Sequence, residues 1–319
     1  MLIYDAAYNS VKSKYLIPLT DFSLSFSALD NLGIKSALLS VHNVTKNTNG
    51  EYEFRLDKDD LFKAILSDIQ KFYLRLIIHE RDLNHCCSDI ISPNWNIVTY
   101  YYNAFFRASL FLRLCFKGNI YLDNAYIREL NSVLTFCMGV PVNLNNNMFY
   151  EIRFEPITNE YVLFLSPNNS NTHELVWIKT NEAIQDIAIN SQAQSDERTI
   201  LHNIIEMNNH FGCKYPSSLR NAVNYQPNYG LECICNRLYN IEDHPQDWHT
   251  RILYFTRSEN KADMNKLAYY LYSYSEYIGW FCKNLIAEYY YLRGCENSIK
   301  KAYVRKFGEE LDSDPCFSF

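Results

Sequence analysis

The short segment Arg220-Asn221-x-x-x-Tyr225 carries the most suggestive set of polar side chains in the chain. Arg brings a permanent charge in a planar fork that suits phosphate, Asn donates and accepts, and Tyr adds a hydroxyl. At i and i+5 on a helix, Arg220 and Tyr225 stand about 140° apart, so they share a face only loosely. Across a helix pair or a dimer groove both could reach one phosphate. The structural alternative is that Arg220 and Asn221 cap or bridge helices while Tyr225 packs in the core. Arg107 and Arg113 lie in a strongly apolar stretch. A guanidinium there needs an anion, supplied either by an internal carboxylate or by a ligand phosphate.

Other groups point to chemistry less strongly. His79, His85, Cys86 and Cys87 have metal-capable side chains, but no second pair stands at zinc-site spacing, and an ordinary helix-end cluster explains them. Glu242, Asp243, His244 and His249 contain acid–base groups, yet a polar connector is the simpler reading. No phosphate-gripping Gly loop, nucleophile elbow or paired-Cys finger is present in the sequence. The expectation is a protein without metal or cofactor.

These residues must be positioned by helices. The segment from Trp95 to Gly118 has Val98, Tyr101, Phe105, Ala108, Leu112 and Phe116 on one stripe, with Tyr102, Phe106 and Leu110 on a second. Apolar on nearly all sides, it predicts a central buried helix, with Asn94 as cap and Lys117-Gly118 as its end. Asn96, Asn103, Arg107 and Arg113 exclude a membrane span. A helix from Asp59 or Asp60 to about Ile78 precedes it, followed by a polar connection over Glu80 to Asp89, and a third helix covers Leu122 to Phe136. A long final helix from Asp263 to Arg293 carries Leu267, Tyr270, Leu271, Tyr274, Ile278, Phe281, Leu285 and Tyr289 in a stripe fit to lie along the central one. Helical character also marks 181–212, a short helix after Tyr215 with Ser217 or Ser218 as cap, and Leu231 to Tyr239.

Between these helices the period changes to two. Tyr150, Ile152 and Phe154 alternate with charged residues, Pro156 to Asn159 forms a turn, and Tyr161 to Leu165 returns, which predicts a hairpin. Leu175 to Ile178 could add a third strand. The expected organisation is an N-terminal helical part at 1–144, a small β insert at 145–180 and a C-terminal helical part at 181–319. Residues 1 to 50 read as short helices and loops.

Composition narrows the function classes. The chain of 319 residues, 48% apolar and with 26 Tyr, can bury a large core, and its net charge of −6 argues against coating nucleic acid by bulk electrostatics. Ten scattered Cys read as reduced thiols, and without a signal segment the expected location is the cytoplasm.

The central WNIVTYYYNAFFRASLFLRL, together with the later LRNAVNY, resembles the HEPN-like helical proteins of prokaryotic toxin and defence systems. The resemblance implies an all-helical bundle, frequent dimerisation and, in active members, metal-independent RNA cleavage. Arg220 and Asn221 match the first two motif positions, but Tyr225 stands where the family has a His. An unperturbed phenol, with a pKa of about 10, is a poor general base near neutrality. Two functional expectations follow. The chain is either a non-catalytic interaction or sensor subunit of an antiviral defence or toxin-type complex, docking a protein partner or a second copy through aromatic helix faces, or a ribonuclease acting through Arg220, Asn221 and Tyr225 at a dimer groove, with Arg107 and Arg113 as phosphate ligands.

Overall fold

The computed structural model describes residues 5–21, 33–41, 43–86, 93–168, 170–190, 195–225, 252–253 and 264–293. The chain is mainly α-helical with one small antiparallel sheet. It divides into two compact units, each assembled from three separate stretches: Met1–Lys14, Arg75–Phe111 and His173–Ile286 in the first, and Tyr15–Leu74, Leu112–Thr172 and Ala287–Phe319 in the second. The units therefore cut across a division at 1–144, 145–180 and 181–319.

The first unit is helical. It holds α1 (Asp5–Val11), the later part of α4 (Lys58–Cys86), most of α5 (Pro93–Leu114), α7 (Thr172–Asn190), α8 (Ser195–Phe211), α9 (Tyr215–Tyr225) and most of α10 (Met264–Leu292). The two apolar stripes read from the sequence meet here. Phe111 packs edge-on against Phe281 with ring centroids 5.6 Å apart, and Tyr100 lies 5.0 Å from Tyr272. Trp177 of α7 lies between Tyr101 and Tyr274, at 6.1 and 6.0 Å. Asn208 of α8 donates to Asn181 of α7 at 2.9 Å, which pairs the buried Asn181 oxygen inside the bundle.

Several boundaries differ from the expectation. α5 begins at Pro93, where a missing N–H costs nothing, so Asn94 is within its first turn rather than at the cap. It ends at Leu114. The left-handed residue after it is Phe116 (φ 58°), and Gly118 instead belongs to a strand, where a Cβ would stand 2.7 Å from the Tyr150 ring. α4 is capped by Asp57, whose Oδ1 accepts from the Asp59 amide at 2.8 Å, and it continues well beyond Ile78. Leu175 to Ile178 is part of α7, buried at Leu175, Val176 and Trp177, and not a third strand: a short continuous apolar run fits a buried helix as well as a strand. Residues 231–239 and 242–249 lie outside the described residues.

The second unit carries the sheet, with α2 (Ile17–Leu19), α3 (Ile34–Leu39), α6 (Asn124–Met138) and the first part of α4. Five strands, β1 (Asn43–Lys46), β2 (Tyr52–Arg55), β3 (Lys117–Tyr121), β4 (Asn147–Glu155) and β5 (Glu160–Pro167), run antiparallel in the order β1-β2-β5-β4-β3. The expected β4–β5 hairpin is present, turned by Asn159 at φ 56°. It is the middle of a larger sheet and not an isolated insert. The β1–β2 hairpin turns at Asn47, whose Oδ1 accepts from the amides of Asn49 and Glu51, with Gly50 at φ 82°. α6 is held by Asp123, which accepts from the Ala125 and Tyr126 amides, and stops at left-handed Gly139.

Candidate functional site

The candidate residues are distributed over both units. Arg113 belongs to the second, where its guanidinium stacks 3.5 Å from the Phe72 ring centroid and donates to the Asn119 carbonyl. Arg107 belongs to the first and is buried in an ion cluster. Its Nε and Nη2 reach Glu80 Oε1 at 3.1 and 2.7 Å, and its Nη1 reaches Glu276 Oε1 and Ser275 Oγ. Lys283 holds the other oxygen of Glu80 at 2.9 Å, and the Tyr100 hydroxyl donates to Glu276. The polar stretch after Ile78 thus includes the counter-ion of the central helix. Burial alone would raise the Glu80 pKa, but the charges of Arg107 and Lys283 outweigh it and hold the carboxyl below its ordinary value.

Arg220 has a different setting. On α9 its Nη1 donates to Asn221 Oδ1 at 2.7 Å and its Nη2 donates to the Tyr102 hydroxyl of α5 at 3.0 Å. The guanidinium also lies about 6 Å from the ring centroids of Tyr101 (5.9 Å) and Tyr102 (5.8 Å), within cation–π range. No carboxylate pairs with it among the described residues, and its buried Nε has no hydrogen-bond partner there. Tyr225 is 72% exposed, so it does not pack in the core as one reading of the motif required. Its hydroxyl has no hydrogen bond to Arg220, whose two terminal nitrogens donate to Asn221 and Tyr102.

An imidazole nevertheless stands in this cluster, and sequence reading missed it. His173, in the first turn of α7, packs 4.7 Å from the Phe105 ring and 6.1 Å from the Tyr102 ring, and its Nδ1 is 3.0 Å from the Tyr101 hydroxyl. The same hydroxyl is 3.3 Å from Ser217 Oγ and accepts from Trp177 Nε1 at 3.4 Å. Counting donors assigns the protons. If Ser217 donates to Tyr101, both phenol lone pairs are filled and the Tyr101 hydrogen goes to Nδ1, so every group is satisfied. In the reverse arrangement the buried Ser217 hydrogen has no acceptor among the described residues, which is costly. This count assigns the imidazole hydrogen to Nε2. Burial first, and then the positive charge of Arg220, lowers the His173 pKa below its ordinary 6.5, so the ring is neutral at neutral pH.

The result is a half-buried cluster of donors. Arg220 supplies the charge, His173 an Nε2–H, and Tyr102, whose oxygen already accepts from Arg220, an O–H with no acceptor among the described residues. The only sequence signal for His173 was its position four residues before Trp177 at the start of a buried run. His79 packs against Phe106 at 5.3 Å, while the side chains of His85, Cys86 and Cys87 lie outside those described. Among the described residues no three His, Cys, Asp or Glu side chains are grouped to hold a metal ion, and no helix is long and apolar enough to cross a membrane. No protein-family model, curated protein or solved structure matches the chain.

Proposed function

We propose that the chain is a non-catalytic, HEPN-like interaction or sensor subunit of a prokaryotic antiviral defence or toxin-type complex, working in the cytoplasm with a protein partner or a second copy. The supporting observation is the hydrogen-bond geometry around Arg220, from which the protons are assigned. The neighbouring imidazole has its Nδ1 engaged by Tyr101 and offers a hydrogen rather than a lone pair, and the phenol at the motif's third position is exposed. General-base attack on phosphate needs an accepting group within reach. An array of donors suits holding an anion better than moving its protons.

A second reading, a metal-independent ribonuclease acting through Arg220, Asn221 and Tyr225, is favoured by one observation: a neutral imidazole beside an Arg without a carboxylate partner among the described residues. Rotation of the Tyr101 hydroxyl toward Ser217 would free the Tyr101 oxygen to accept from Nδ1, and loss of the Nε2 proton to water with uptake of one at Nδ1 would then turn Nε2 into a base.

One experiment separates these readings. Wild-type protein, Arg220→Ala and His173→Gln, each sized by light scattering, are incubated with total RNA and tRNA in EDTA. Intact RNA in all three is expected. Cleavage by the wild type that disappears in both folded variants would replace the subunit reading with the ribonuclease.

A further inference from the structure

We propose that Tyr102, His173 and Arg220 form a binding site for a phosphate group, with the terminal phosphate of a monoester as its ligand. This site goes beyond the subunit reading and does not depend on whether the chain cleaves RNA.

Three features of the cluster point the same way. Its one formal charge is positive, and no carboxylate pairs with it among the described residues, whereas Arg107 has two carboxylates. A half-buried guanidinium left without an anion bears a desolvation cost that a bound anion would offset. The hydrogens that remain are all of one kind: those of the Arg220 fork not given to Asn221 and Tyr102, the Tyr102 O–H, and the His173 Nε2–H. A ligand for such a set must accept everywhere and donate nowhere. The Tyr101–Ser217–Trp177 group behind His173 is buried and fixes the imidazole from the side away from Nε2, so the donor is oriented before any ligand arrives.

The choice of phosphate over carboxylate rests on number. Donors from three helices, α5, α7 and α9, lie in one cluster, Arg220 bonded to Tyr102 and the His173 ring 6.1 Å from that of Tyr102, and a carboxylate offers two oxygens in one plane while a terminal phosphate offers three in a pyramid. A phosphodiester has only two non-bridging oxygens and half the charge, so a monoester fits better. The nearest acidic neighbour along the chain, Glu174, is already held by Lys214 at 2.9 Å.

The test is isothermal titration of the full chain at pH 7.5 with inorganic phosphate, methyl phosphate and dimethyl phosphate. Saturable binding of the first two is expected, with dimethyl phosphate weaker. Arg220→Gln is expected to weaken methyl phosphate at least about tenfold, and Tyr102→Phe several-fold, since a hydrogen bond to a charged group is worth that much. His173→Ala should lose affinity and His173→Gln recover part of it, because the amide keeps an N–H. If Arg220→Gln fails to fold, Tyr102→Phe decides alone. Absence of saturable binding by the wild type, or wild-type affinity in Arg220→Gln or Tyr102→Phe, overturns the site. Tighter binding of dimethyl than of methyl phosphate overturns the monoester assignment. RNA cleavage and phosphate binding are separate readouts, so either result stands without the other.

Discussion

Tyr101 does more than fill space in the helix core. Its side chain is fully buried, its pKa is raised by that burial, and its single oxygen serves Trp177, Ser217 and His173 at once. Tyr101→Phe keeps the ring and removes the oxygen, leaving an indole N–H, a serine hydroxyl and Nδ1 without their partner. The expected cost is about 1–3 kcal/mol, the penalty for orphaned buried polar groups, read as a lowered urea midpoint at unchanged slope. His173 is then free to take either tautomer, which its ring 15N shifts would report as a mixture. Tyr102→Phe is the control. Among the described residues Tyr102 is only half-buried and hydrogen-bonded to Arg220 alone, so the loss of its hydroxyl should change stability by less than about 1.5 kcal/mol and leave the His173 tautomer fixed.

At the scale of elements, α5 and α10 are locked by a small residue as much as by aromatic stripes. Gly279 lies against Arg107, and a Cβ there would stand 2.7 Å from Nε. Gly279→Ala should therefore push the guanidinium off Glu80 and Glu276. Its cost of about 1–3 kcal/mol, typical of overpacking, would reverse the small gain that Ala normally brings to a helix interior. A chemical-denaturation comparison in which the variant matches or exceeds the wild type would remove Gly279 from this role. The apolar stripes of both helices were legible in the sequence because buried helices write their period in large side chains, and Val98, Tyr101, Ala108, Leu112, Tyr274, Ile278, Phe281 and Leu285 are all buried. Glu80 was not legible. A charged residue after an apolar run looks like a solvated connector, and its burial is offset by pairing with Arg107 and Lys283, which no local pattern shows. The outer strands were hidden for another reason: β1 alternates through a single buried residue, Val44, and gains its order from pairing with β2 and not from its own pattern. His173 meets Arg220 only through tertiary packing, so no local spacing could reveal it.

For the whole molecule these buried charges set the response to acid. Glu80 has its pKa depressed in the fold, because Arg107 and Lys283 overcome the burial that would raise it. Its contribution to stability is present above the unfolded value of about 4.3 and is lost as pH falls through the lower folded value. Asp68 works in the opposite sense. Burial raises its pKa despite Arg113 and Lys71, so its favourable contribution belongs to low pH and fades as pH rises through the raised value. Glu51 and Glu151 share the direction of Glu80, each lowered by hydrogen bonds and nearby cations against partial burial. With Asp123, lowered by the helix amides it caps, four carboxyls against one among the described residues predict a net fall in unfolding free energy as pH drops below about 4.3. Glu80→Gln isolates the largest buried member. At neutral pH it should cost about 3 kcal/mol, since Arg107 and Lys283 lose a buried counter-ion, and its acid limb should be flatter than that of the wild type. Parallel urea-unfolding curves for the two proteins from pH 7 to pH 3, offset by a constant, would mean that Glu80 has the same proton affinity folded and unfolded. Asp68→Asn should move the curve the other way, steepening the net loss in acid, because a carboxyl that gains stability on protonation is gone.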